Sequence, residues 1–121
     1  MNLRFQSLAL ISLFATGGAL AADPPAPAAV SMTLKDHRFS PDRVTVPAGR
    51  KVRIELSNQD SASEEFDSDD LHVEKDVTPH GKIAFEIGPL APGTYAFMGE
   101  LHPDTASGEV VAVAEDAPPT P

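Results

Sequence analysis

Met98-Gly99-Glu100-Leu101-His102-Pro103 puts a soft thioether, a hard carboxylate and a borderline imidazole within five residues. Such a mixed set suits copper, because thioethers favour copper(I) whereas imidazole also serves copper(II). On its own the loop is equally readable as an ordinary loop histidine beside a methionine that fills the core. A second group is Asp60 to Asp76, where eight carboxylates (Asp60, Glu64, Glu65, Asp67, Asp69, Asp70, Glu74 and Asp76) face one base, Lys75. Charges this dense repel one another and keep a segment solvated. They also attract a cation or a basic partner protein. Asp67, Asp69 and Asp70 offer oxygens of the kind calcium takes, but the spacing lacks the glycine and distal glutamate of a calcium-binding loop. His37 is predicted at the end of the first strand, either near the site or facing solvent. His72 and His80, beside Glu74 and Lys82, read as surface residues.

The elements that must position these groups follow a period of two. Val52, Ile54 and Leu56 alternate with Lys51, Arg53 and Glu55, and Ile83, Phe85 and Ile87 alternate with Lys82, Ala84 and Glu86. One buried and one wet face produce that pattern in a strand. Weaker runs are Met32–Leu34, Val44–Val46, Leu71–Val73, Tyr95–Phe97 and Val110–Val113. Turn chemistry closes them at Ser40-Pro41-Asp42, Pro47-Ala48-Gly49, Asn58-Gln59-Asp60, His80-Gly81, Pro89 to Gly93, and Gly108. No window is a convincing amphipathic helix. An all-β fold, a small antiparallel Greek-key sandwich of about seven to eight strands, is predicted.

The chain has 121 residues, the size of one domain. Its first 21 residues read as a secretory signal peptide: Arg4, an apolar run from Leu8 to Ala15, then Ala19-Leu20-Ala21 before Ala22. The apolar run falls short of the roughly 20 residues of a bilayer span, so no membrane span is expected after removal and the mature protein is placed in a periplasm. Residues 22–29 are read as a Pro/Ala-rich tether, 30–114 as the folded domain and 115–121 as a Pro-rich tail. Nine basic and 18 acidic residues give a net charge of −9. Nucleic acid is therefore a poor partner. The absence of cysteine excludes a disulfide framework, a thiolate zinc site and a cysteine nucleophile. Neither a G-x-S-x-G elbow nor an H-E-x-x-H motif is present, which argues against a conventional hydrolase.

From His37 to Val113 the order of motifs resembles the cupredoxin-like family. His37-Arg38-Phe39-Ser40-Pro41, then Val44-x-Val46-Pro47-Ala48-Gly49, is similar to the family's opening. Ile54 to Asp60 is similar to the strand ending in N-x-D/G before the first ligand, Pro92-Gly93-Thr94-Tyr95-Ala96-Phe97 to the strand entering the ligand loop, and Gly108 to Val113 to the closing strand. The resemblance implies a copper site at one end of the sandwich, but the blue-copper ligands are mostly missing. Glu64 stands at the first histidine position, followed by Glu65; the cysteine position falls on Met98 or Gly99; His102 matches the second histidine; Ala106 stands for the axial methionine. A type-1 blue site is excluded, since it depends on a cysteine thiolate. Copper held by His102, Met98, Glu64 or Glu65, with Glu100 and His37 in support, is the expectation. The pattern E-E-F-x-S-x-D-L-x-x-E-K with F-M-G-E-x-H resembles cupredoxin-like proteins of bacterial ferrous iron uptake. That implies ferroxidase-type electron transfer, iron as substrate, and an iron permease system or periplasmic redox protein as partner. A copper carrier without turnover and a metal-free interaction module are the alternatives.

Overall fold

A computed structural model of the chain describes residues 27–115. The predicted signal peptide, residues 22–26 of the predicted tether and the tail beyond Glu115 lie outside the described residues. Nine strands follow one another: β1 (Ala28–Lys35), β2 (Arg38–Ser40), β3 (Arg43–Pro47), β4 (Val52–Asn58), β5 (Glu64–Ser68), β6 (Val73–Val77), β7 (Lys82–Ile87), β8 (Gly93–Gly99) and β9 (Ser107–Val113). They form two sheets, in the orders β2-β1-β4-β7 and β3-β9-β8-β5-β6. The all-β sandwich is as predicted, with nine strands rather than seven to eight and two further differences in detail. β1 begins at Ala28, inside the stretch read as tether. And β1 pairs with β4, and β3 with β9, in parallel rather than antiparallel fashion. Alternation of apolar residues reports which face is buried, not the direction of the neighbouring strand.

The strongest alternations behave as read: Val52, Ile54 and Leu56 of β4 point inward with Asn58, while Arg53 and Glu55 point out. In β7, Phe85 and Ile87 are buried and Lys82, Ala84 and Glu86 are exposed. The acidic stretch is not a loop throughout. Its two halves pair as the β5–β6 hairpin, Glu64 opposite Val77 and Ser68 opposite Val73, while Asp69 to His72 form the turn, so that of the strand predicted at Leu71–Val73 only Val73 is in one. Strand alternation then gives the carboxylates two fates, since Glu64, Phe66 and Ser68 face the core and Glu65 and Asp67 face away.

Four phenylalanines meet at the centre. Phe66 lies 4.9 Å from Phe97, 5.1 Å from Phe85 and 5.9 Å from Phe39, and Phe39 lies 5.2 Å from Phe97. Phe66 is fully buried, so removing its ring is expected to destabilise the fold by about 3–5 kcal/mol. Phe39, Phe66 and Phe97 each stand two residues from a position at the end of the sandwich: His37, Glu64 and Gly99. A period of two carries Glu64 and Gly99 to the inner side of their strands, and the β1–β2 turn brings His37 beside Glu64.

Candidate metal centre

Three elements converge there: the β1–β2 turn, the start of β5, and the loop after β8. The donor atoms of His37, Glu64 and His102 all lie within 4.8 Å of one another. His102 is held by its own loop, in which Gly99 N–H donates to Ala106 (2.8 Å), His102 N–H to Gly99 (3.1 Å) and Ala106 N–H to His102 (2.9 Å), each through the carbonyl oxygen. The His37 ring stacks on the His102 ring with centroids 3.7 Å apart and planes 16° from parallel. Both rings are partly exposed, 41% for His37 and 30% for His102, whereas Glu64 is 1% exposed.

A carboxylate buried so deeply must be compensated. Glu64 Oε1 accepts the backbone N–H groups of Leu101 (2.8 Å) and Glu65 (3.0 Å), and Oε2 lies 2.6 Å from His102 Nδ1. That short contact requires a hydrogen between the two atoms, and a carboxylate can only accept. His37, Glu64 and His102 could hold a cation, which would take the place of that hydrogen. Two imidazoles and one carboxylate make a borderline-to-hard donor set that fits copper(II) and other divalent transition ions better than copper(I).

Gly99 is the inward-facing position after Phe97, and Met98 faces outward. A Cβ built at Gly99 would lie 2.6 Å from the Glu64 carboxyl carbon, 2.9 Å from Glu64 Oε1 and 2.8 Å from the Ala106 Cβ. The Glu64 carboxylate thus occupies the space that a side chain at Gly99 would fill. Ala106 is fully buried and offers no donor.

The six candidate ligands read from the sequence separate into three places. His37, Glu64 and His102 share the inner site. Glu65 and Glu100 lie on the outer face of the same sheet, where their carboxylates and that of Glu74 fall within 4.8 Å of one another, and Glu100 N–H donates to the Glu65 carbonyl at 2.9 Å. Met98 is 43% exposed on that outer face, opposite Asp67 and Ser107 in the ladder. Glu74 was not singled out as a site residue, since only the β5–β6 register brings it beside Glu65. The proton that Glu65 shares with Glu74, its partial burial, and then its contact with Glu100 and the neighbouring negative charges push its carboxyl up to about 7.

Asp60, which the sequence places in the acidic stretch and at the Asn58-Gln59-Asp60 turn, also reaches the site. Its carboxylate accepts the backbone N–H of Asp36 (2.7 Å) and of His37 (2.9 Å), and its Oδ2 lies 3.6 Å from His37 Nδ1. Burial alone would raise the Asp60 carboxyl, but the two N–H bonds and the adjacent His37 and His102 rings outweigh it and lower it.

Comparison with known proteins agrees with this architecture. Residues 6–112 match the family model described as a cupredoxin-like domain, and the chain belongs to that family. The uncharacterized protein RP394 of Rickettsia prowazekii is 46% identical over 82 residues, covering 68% of this chain and 66% of the relative. Among solved structures, auracyanin A, a "blue" copper protein from Chloroflexus aurantiacus, is similar with a TM-score of 0.62 at 14% identity, covering 73% of this chain and all of that one. The metal-binding domain of the Streptococcus pneumoniae copper(I)-exporting ATPase CopA, solved with copper(I), gives 0.61 at 10% identity over 70% and 84%. Amicyanin from Paracoccus versutus gives 0.54 at 21% identity over 76% and 87%. At these identities the likeness shows the fold.

Proposed function

We propose that the protein is an exported periplasmic copper protein of the non-blue kind, working in ferroxidase-type electron transfer beside an iron permease. The single observation that carries the copper reading is the convergence of His37, Glu64 and His102 within 4.8 Å at the end of a cupredoxin-like sandwich. Bound copper would supply one-electron chemistry, with copper(II) accepting an electron from iron(II) and a periplasmic redox protein taking it onward.

The chain's own residues have three tasks. Glu64, fixed by two backbone N–H groups, keeps a negative charge at the base of the site and holds the His102 ring. His37 stacks on the His102 ring and, being itself partly exposed, leaves the site open to solvent. The outward carboxylates, Glu65, Glu74 and Glu100 among them, raise the local concentration of cations such as iron(II) through their summed charge.

Copper(II) titration against a competing chelator tests the reading. One equivalent should bind, His102→Ala should weaken it by at least tenfold, and His72→Ala and His80→Ala should leave it unchanged. Iron(II) oxidation is then assayed on the loaded protein. A metal-free interaction module is the second reading, favoured by the three hydrogen-bonding partners that Glu64 already has within the chain. Equal, weak copper binding in all variants would select it.

A further inference from the structure

The turn that carries His37 puts a histidine where its backbone favours glycine. Lys35 pairs with Arg38 across the β1–β2 hairpin, so the loop is the two residues Asp36 and His37, both left-handed with φ of 52° and 56°. A two-residue loop with both φ values positive is a type I′ turn, which favours asparagine, aspartate or glycine first and glycine second, so Asp36 suits its position and His37 does not. A non-glycine residue is disfavoured there, and strain of this kind persists only where the surroundings impose it. The two N–H groups that such a turn leaves pointing outward are those of Asp36 and His37, and both end on the carboxylate of Asp60.

Asp60 is itself anchored. Its N–H donates to Asn58 Oδ1 at 3.0 Å, and its carbonyl accepts the His80 N–H at 3.0 Å. Asn58 is 1% exposed and donates through Nδ2 to the carbonyls of Ala62 (2.8 Å) and Thr78 (3.1 Å). Gln59 N–H closes the same corner on the Leu34 carbonyl at 2.8 Å. A rigid buried corner at the end of β4 thus reaches across to grip the turn.

We propose that Asp60 is the positioning residue of the metal centre: by clamping both N–H groups of the Asp36-His37 turn it holds the His37 ring against His102. A glycine at position 37 would suit the backbone better, but only a histidine there brings a second imidazole to the site. The proposal rests on the copper reading for its functional consequence and on the hairpin geometry alone for its structural one.

Both are tested together. Copper(II) affinity is measured by chelator competition for wild type, Asp60→Ala, Asp60→Asn, His37→Ala, the Asp60→Ala/His37→Ala double variant and Asp69→Ala as control, with thermal melts to verify folding. Asp60→Ala should lose about 10–100-fold in affinity. Asp60→Asn, which keeps one acceptor oxygen, should fall between it and wild type, and the double variant should be no weaker than His37→Ala. Copper(II) electron paramagnetic resonance should show fewer coupled nitrogens in Asp60→Ala. Wild-type affinity in Asp60→Ala while His37→Ala is weakened overturns the positioning role and leaves the copper reading standing. If neither His37→Ala nor His102→Ala weakens binding, the copper reading falls. The clamp is then judged on chelator-treated protein, where Asp60→Ala should speed amide exchange at Asp36 and His37 at least tenfold and abolish the through-space contact between the two imidazoles. Unchanged exchange and contact overturn the proposal.

Discussion

At the scale of single residues, Gly99 and Glu64 form a complementary pair. A methyl group at Gly99 cannot coexist with the Glu64 carboxyl carbon 2.6 Å away and the buried Ala106 Cβ at 2.8 Å, so Gly99→Ala must push the carboxylate out of place. We expect a loss of about 1–3 kcal/mol in a urea melt, together with weaker copper(II) binding. An unchanged midpoint would mean that the loop yields freely. With no thiolate available, copper(II) should give only weak visible absorption, and an intense blue band would refute the ligand set. Met98→Leu should leave copper affinity within twofold of wild type, because the thioether lies on the outer face. The sequence named the donor types in this loop but left the register open between Met98 and Gly99. One step along a strand exchanges inside for outside, and only the ladder with β5 and β9 fixes which residue faces in.

Elements carry the next level of explanation. β4 and β7 were legible because apolar residues fill their buried faces, and the packing follows that alternation. β5 was hidden because its inward positions are Glu64, Phe66 and Ser68, of which only one is apolar. A strand that gives its buried face to polar groups loses the signal by which strands are read. The β1–β2 hairpin was hidden for a related reason. Asp36-His37 has the favoured first residue of its turn type but lacks the glycine that should follow it, and the compensation comes from Asp60, 24 residues from Asp36 in the chain. Strain at a left-handed non-glycine residue is worth about 1–2 kcal/mol, part of which glycine's greater freedom in the unfolded chain offsets. His37→Gly should therefore stabilise the metal-free protein by up to about 1 kcal/mol. A lower melting temperature in that variant would show that the turn is unstrained.

Over the whole molecule, charge is distributed by the sheet rather than by the sequence run. Glu64 is taken inside and compensated, while Glu65, Glu74 and Glu100 are left together outside without a base among them. Because the folded-state Glu65 carboxyl is raised from its ordinary 4.5 to about 7, the folded protein holds a proton there that the unfolded chain has already released. The stability this contributes is complete below 4.5 and is lost as pH rises to about 7. Urea midpoints of wild type should accordingly fall relative to those of Glu65→Gln across that interval, and parallel curves would contradict the shared proton. What the sequence determined by itself was the all-β sandwich, the copper-type donor chemistry and the exclusion of a thiolate, since periodicity and residue type are local properties. Only the tertiary structure decided that His37, Glu64 and His102 form one site, that Glu65 and Glu100 belong to another face, and that Asp60 holds the turn. Those are matters of register and of contact between elements distant in the chain, which no local pattern encodes.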